Sequence, residues 1–216
     1  MIIDHTHPAF VEARNRIGRN KYNGAYYYSC EIVKNIIPLV NTDRNWMTVT
    51  AGGIGLDHSI CFVHNNRNFE RSYSYLKPYK DIIYVVGLPD MVDVASQQGK
   101  TIYLPLSVDV EYVKRFRSQF KTRKRAFVGR KETRRDWKFP SGTDLVELLP
   151  REQLLTEMSK YEEIYAIGRT AIEGRILGCK ILPFHPRLPD VDLWKILDNR
   201  EAALMLQDEL NKIDGE

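Results

Sequence analysis

Between Glu163 and Phe184 the chain reads EIYAIGRTAIEGRILGCKILPF. Gly168, Arg169 and Thr170 stand where an apolar run stops and a helical pattern starts. Their backbone N–H groups, and the partial positive charge of the helix start, face whatever lies beyond that run, which suits a phosphate. Glu173, one turn further on, is a carboxylate able to accept two hydrogen bonds from a vicinal diol. Thr170 and Glu173 also read as a capping box, with Thr170 at the N-cap and Glu173 at N3; the two roles are compatible. Arg130 follows Gly129 at the end of another apolar run, where a planar guanidinium fork suits phosphate oxygens, or simply stands in a solvated basic loop. His64 ends the run Cys61-Phe62-Val63, where an imidazole can contact a hydroxyl or take its proton, or merely cap a strand end.

Other constellations carry less. His58 beside Asp57 competes as a base, although adjacent strand residues face opposite ways. Asp4-His5-Thr6-His7 alternates two histidines as zinc ligands can, yet no second Cys/His pair completes a site, and the stretch reads as surface loop. Asp190 and Asp192 form an Asp-x-Asp pair, but their place after Pro183, Pro186 and Pro189 makes them helix caps. Tyr26-Tyr27-Tyr28 reads as half core and half surface, with one ring free to stack.

These residues need elements to hold them. Ile164–Ile167 reads as a buried strand, Thr170–Leu177 as a helix stopped by Gly178, and Lys180–Phe184 as a second strand. Strand, tight turn, helix and strand in so few residues belong to a parallel sheet with a crossover helix. The rest of the chain alternates in the same way. Strands are expected at Met1–Ile3, Met47–Ala51, Ile60–Val63, Ile82–Val86, Thr101–Leu104, Ala126–Val128 and Leu145–Leu148. Helices are expected from Gly24 to Leu39 (with Ala25, Tyr28, Ile32, Ile36 and Leu39 on one face), at Met91–Gln98, at Pro150–Tyr161, at Val191–Leu197 and at Glu201–Ile213. Val108–Phe120 reads as helix or connector. The fold class is α/β, with two small Rossmann-like parallel-sheet halves facing each other. Residues 1–108 form a reduced first domain and 109–189 a second, while the helices of 190–216 are free to pack back on the first half. Ligands of such sheets bind beyond the carboxyl ends of the strands.

Composition sets bounds. The 216 residues are 43% apolar and 28% charged, which permits an ordinary core. No apolar run reaches the roughly 18 residues of a membrane span, and MIIDHTHPAF lacks the basic start of a signal peptide. Cys30, Cys61 and Cys179 are odd in number and lie in apolar surroundings, so they read as reduced core residues of a cytoplasmic protein. The net charge of +4 is local: Lys114–Lys138 holds twelve Lys/Arg against Glu132 and Asp136, and the remainder carries a net charge of −6. That implies one anionic partner surface.

GRTAIEGRILGCKILPF resembles the donor-binding domain of glycosyltransferases of the GT-B fold, the nucleotide-sugar enzymes typified by glycogen synthases and phosphatidylinositol mannosyltransferases. The preceding run LVELLPREQLLTEMSKYEEIY (Leu145–Tyr165), AFVGRK (Ala126–Lys131) and KTIYLPLSVDV (Lys100–Val110) are similar to family segments too, and Gly24 with its helix resembles the family's first glycine loop. The resemblance implies a nucleotide-binding set of Gly24, Arg130, Arg135, Leu149, Gly168, Arg169, Thr170 and Glu173. In it Glu173 holds the ribose hydroxyls, Arg130 clamps the diphosphate, and the turn at Gly168–Thr170 holds the distal phosphate. The second base of the clamp comes from Lys131, Arg134, Arg135 or Lys138, with Arg135 favoured. His64 and Arg130 are the implied catalytic residues. The chain departs from the family at Tyr165, where many members carry a further Glu eight positions before the ribose carboxylate.

The function so implied is transfer of a sugar, hexosyltransferase-like, from a nucleotide diphosphate sugar with UDP favoured. No metal or other cofactor is required, because cationic side chains offset the charge on the leaving diphosphate. The first half is short for this family, which points to a large acceptor on an open face: a polysaccharide, a lipid or a modified DNA base, with Lys114–Lys138 able to hold DNA or anionic lipid. The alternative is a non-catalytic module of the same fold that holds a nucleotide or nucleic acid.

Overall fold

The computed structural model describes residues 31–48, 56–63, 76–129, 137–147, 149–185 and 190–215. The expected strand at Met1–Ile3, the first part of the helix from Gly24, the glycine loop at 52–55, the tyrosine run and Asp4–His7 lie outside those residues. The chain divides into two compact units, 1–105 with 200–216 and 106–199. Each contains a four-stranded parallel sheet flanked by helices.

In the first unit β1 (Asn45–Thr48), β2 (Ser59–Val63), β3 (Ile82–Val86) and β4 (Thr101–Tyr103) lie side by side in chain order. Every residue of SICFV and IIYVV is buried. This is the pattern of parallel strands covered on both faces. Cys61, Val63, Tyr84 and Val86 point to one face, where they pack with Met47, Met91 and Ala95. Strand alternation sends Ile60, Phe62, Ile83 and Val85 to the other. The short helix α1 (Val92–Ser96) stands between β3 and β4.

The expected helix ending at Leu39 is irregular where it is described. Ile32–Ile36 is a π-helical turn closed by an Ile37 N–H to Ile32 C=O bond, and Ile37–Leu39 is 3-10 with Pro38 in its first turn. Pro38 has no N–H to give to a regular α ladder. The altered pitch buries Ile32 and Ile36 but leaves Leu39 53% exposed, so the single apolar face read from the sequence does not reach Leu39.

In the second unit β5 (Arg123–Val128), β6 (Asp144–Val146), β7 (Tyr161–Tyr165) and β8 (Lys180–Leu182) are ordered β6-β5-β7-β8. Helix α2 (Val110–Lys114) is capped by Asp109, whose carboxylate accepts from Tyr112 N–H at 2.8 Å. Helix α3 is Arg151–Met158, and α4 is Gly168–Ile176. Strand β7 begins three residues before the apolar run that announces it. Glu162 and Glu163 are tolerated in the strand because Lys124 and Arg125 of β5 pair with them at 2.7 and 2.6 Å. Pro183 ends β8 two residues short of the expected Phe184.

A glycine inside α4 and one just past its end are required by geometry. A Cβ on Gly174 would come within 2.4 Å of Ile164 Cδ1 and 3.0 Å of Ile181 Cδ1. Only glycine lets the helix approach β7 and β8 this closely. Gly178, at φ +81°, ends the helix as the sequence indicates. Its N–H goes to Arg175 C=O and that of Cys179 to Gly174 C=O, which is the double bond of a Schellman stop.

The expected helix at Val191–Leu197 is a correction. Only Val191–Leu193 is helical, as one 3-10 turn capped by Asp190. The following residues are drawn into an extended bridge, in which Val108 N–H donates to Leu197 C=O and Asn199 N–H donates to Val108 C=O. Helix α5 then runs from Asn199 to Asp214 and buries Ala202, Ala203, Leu206 and Leu210 as one stripe.

Candidate functional site

The carboxyl edge of the second sheet is where a parallel α/β unit presents its ligand site. There β7 ends at Tyr165, and the chain turns through Gly168 at φ +60°, a conformation that favours glycine, into the first turn of α4. The helix N-cap is Ile167, which makes no side-chain capping bond, so Gly168, Arg169 and Thr170 present first-turn N–H groups. This corrects the capping box. Thr170 is the third helical residue, not the cap, and Glu173 is a full turn too deep to reach back to the helix start.

Glu173 turns sideways instead. Its side chain is 3% exposed, and Oε1 accepts from Arg151 Nη1 at 2.8 Å and from Arg169 Nη2 at 3.5 Å. Arg151 opens α3, and its guanidinium lies over the Tyr112 ring of α2 at 5.8 Å. Tyr112 O–H in turn donates to Glu152 at 3.4 Å. A carboxylate removed from water is stable only when paired and hydrogen-bonded, and two guanidinium groups supply that here. Leu149, half-buried, stands two residues before Arg151.

The structure therefore places Gly168, Arg169 and Thr170 in the first turn of α4 and Glu173 one turn deeper, joined to Arg169, and it adds Arg151, which the sequence reading missed. One signal was available. Arg151 and Arg169 are the first and second residues of their helices, where the helix dipole disfavours a cation. A cation at that end implies an acid nearby, and Glu173 is that acid. His64, Arg130, Arg135 and Gly24 lie outside the described residues, as do Lys131 and Arg134.

The same carboxyl edge, on the sheet face that α4 does not cover, holds a ring cluster. Phe139 sits 5.1 Å from Phe127 and 4.8 Å from Tyr165, with Phe184 packed against all three. Tyr165 is thus a core ring of this cluster.

Five of the twelve cations of the basic segment make internal bonds among the described residues. Lys114 pairs with Glu111 at 2.7 Å, and Lys121 donates to Ser159 and Leu177 carbonyls at 2.9 and 2.7 Å. Arg123 pairs with Glu157 at 2.7 Å and donates to Tyr161 O–H, while Lys124 and Arg125 pair with Glu162 and Glu163. The Arg125 bond holds the Glu163 carboxyl below its usual range.

Cys61 and Cys179 are free and buried. Burial pushes the Cys61 thiol up to about 12 and raises that of Cys179, the latter against the opposing pull of Lys121. Both are inert by this measure. Asp57 does not orient His58: its carboxylate accepts from Lys80 N–H at 2.6 Å, while His58 turns to Asp81 and Asp43. Among the described residues no group of three or more His, Cys, Asp or Glu side chains is placed to hold a metal ion. Among them, too, no helix is long and apolar enough to cross a membrane.

No protein-family model, curated protein or solved structure matches the chain. Its geometry is that of an α/β protein with two parallel sheets, a Rossmann-like arrangement. What the turn into α4 can do chemically is bind an anion at its N–H groups beside a buried, arginine-held carboxylate.

Proposed function

We propose that the second unit holds the nucleotide of a nucleotide diphosphate sugar, UDP-sugar favoured, and that the chain is a GT-B-type glycosyltransferase passing the sugar to an acceptor. The observation that carries this reading is the unit β7–Gly168–α4–β8, with a first helical turn that no side chain of its N-cap Ile167 closes and the carboxylate of Glu173 one turn inside. In the reaction the bond from the sugar's anomeric carbon to the diphosphate oxygen breaks and its electron pair stays on the diphosphate. The acceptor oxygen forms the new bond to that carbon, and its proton goes to His64. Arg130, Arg135 and the start of α4 offset the charge growing on the leaving group, so no metal is needed. Glu173 holds the ribose hydroxyls.

A thermal-shift panel of UDP, GDP and ADP with their sugars tests this directly. A ligand that binds only the folded chain raises its stability with the logarithm of concentration over Kd. One nucleotide family, with its sugar, is expected to raise Tm. A flat panel sinks the reading. Glu173→Gln is the matched control, because Glu173→Ala leaves two buried guanidinium groups without their acid and confuses lost binding with lost folding.

The competing reading, a non-catalytic module holding nucleic acid along Lys114–Lys138, has less behind it. Lys114, Lys121, Arg123, Lys124 and Arg125 are already bonded to oxygens of the chain. Using them for phosphates means breaking those bonds.

A further inference from the structure

The proposed reaction makes no use of a charged cluster at the amino ends of β1, β2 and β3, the edge of the first sheet opposite the carboxyl ends of its strands. The residues leading into β1 are Asn41-Thr42-Asp43-Arg44, and three separate contacts fasten them. Gln207 of α5 accepts from Asn41 N–H at 2.6 Å and donates to Asn41 C=O at 3.2 Å, satisfying both backbone groups with one side chain. Arg44, whose side chain is 5% exposed, donates to Asp214 Oδ1 from Nη2 at 2.6 Å and from Nε at 3.1 Å, and to Asp81 Oδ2 from Nη1 at 3.0 Å. Asp214 lies in the last turn of α5, where the helix dipole disfavours an acid, and Arg44 supplies the missing cation. Lys100 Nζ reaches the carbonyl of Ile213 in the same turn at 3.3 Å.

His58 is the third fastening. Its Nδ1 lies 2.6 Å from Asp81 Oδ2 and its Nε2 3.1 Å from Asp43 Oδ1. His58 and Asp81 both adopt left-handed backbone, φ +50° and +55°, immediately before their strands. His58 N–H donates to Lys80 C=O, and Ser59 N–H donates to Asp81 C=O. Histidine and aspartate are among the few non-glycine residues that enter this region readily, and here it sets the direction in which both side chains leave the backbone.

A carboxylate only accepts, so an imidazole bonded to carboxylates at both nitrogens must carry two N–H groups. The neutral ring has one. On losing the proton, His58 keeps one bond and sets a lone pair against the other oxygen. Asp81 is also held by Arg44. Asp43, with a side chain 88% exposed, has no such second hold among the bonds above and is the partner that lets go. Asp43 is covalently joined to Arg44, which grips the end of α5.

We propose that Asn41–Arg44 is a proton-controlled strap: protonated His58 fastens it to the amino edge of the first sheet, and loss of that proton frees Asp43 and loosens the last turn of α5. Among the described residues the groups facing His58 are Asp43 and Arg44 before β1, Asp57 on its own segment, and Lys80 and Asp81 before β3, with Asp214 bonded to Arg44 beyond them. The bond from Asp81, then that from Asp43, raises the imidazole above its ordinary value, with Arg44 opposing. Strap closure is therefore complete below the ordinary histidine value of about 6.5 and is lost as pH rises through the higher folded value.

The test is histidine NMR together with amide hydrogen exchange on the full chain, from pH 6 to 9 and corrected for intrinsic rates. His58 is expected to titrate above 6.5, and Asp43→Asn to lower its value. Protection of Asp43, Arg44 and Lys212–Gly215 is expected to fall about two- to fivefold across that titration, the factor an exposed ion pair commands, while Ile83–Val85 of β3 stays unchanged. His58→Asn, which tolerates left-handed backbone, abolishes the pH step. Should that variant not fold, Asp43→Asn does the same work at an exposed position. A His58 that titrates at or below its ordinary value, protection that is flat through its titration, or an unaltered step in these variants overturns the proposal.

Discussion

Arg151 and Arg169 each sit at the wrong end of a helix for a cation, and Glu173 explains both. Removing one partner of a buried pair strands the other, so Arg151→Met is expected to lower stability by about 3–5 kcal/mol, read as a lower midpoint in urea with an unchanged slope. Gly174→Ala pits better helix propensity against a Cβ 2.4 Å from Ile164 Cδ1. Overpacking wins, at about 1–3 kcal/mol less about 1 kcal/mol of propensity, so the variant is expected to melt lower. Cys61 and Cys179 are expected not to react with a thiol reagent at pH 8 until the chain unfolds; labelling of either in the native protein contradicts their burial. At this scale the sequence exposed Gly178 and the strand-end turn at Gly168, because those glycines are needed by backbone geometry alone. It misread Thr170 as a cap, since the spacing of a capping box is also the spacing of two residues inside a helix.

Among the elements, fully buried strands were the most legible. IIYVV and SICFV have no polar alternation, and length and β-branching suffice to name them. YEEIY was harder, because its two acids are acceptable in a strand only with Lys124 and Arg125 beside them. The turn at Val191–Leu193 is followed by extended backbone that bridges Asp198 to Val108, a long-range pairing that no local pattern announces. Helix α4 ends on a left-handed Gly178, so Gly178→Ala is expected to cost about 1–2 kcal/mol. For the first unit, Asp43 and Asp81 are held below their ordinary values by His58, and His58 above its own by them. The acids contribute stability above about pH 4 that is lost as pH falls through their lowered values. His58 contributes below about 6.5, and its share is lost as pH rises through its raised value. A stability profile measured by urea unfolding is thus expected to decline on both sides of a plateau at mildly acidic pH, with the alkaline shoulder missing in His58→Asn.

For the whole molecule, the distribution of charge separates the two functional readings. If a nucleotide binds at the start of α4, its affinity depends modestly on salt. If nucleic acid binds along the basic segment, log K falls linearly and steeply with log salt, by nearly one unit of slope per phosphate contacted. Titration of UDP and of a 20-base oligonucleotide between 50 and 200 mM salt is expected to show measurable, salt-tolerant UDP binding and little oligonucleotide binding at the upper salt. The reverse result favours the nucleic-acid module.

The sequence by itself determined that this chain alternates buried strands with helices in parallel sheets, and that a glycine turn opens a helix at 168. Both are local consequences of side-chain period, β-branching and backbone freedom. Tertiary structure alone decided the partnerships: Arg151 with Glu173 across 22 residues, His58 with Asp81 across 23, Arg44 with Asp214 across 170. Those pairs depend on which strands and helices become neighbours, and a periodic pattern records which face of an element is buried, not what it is buried against.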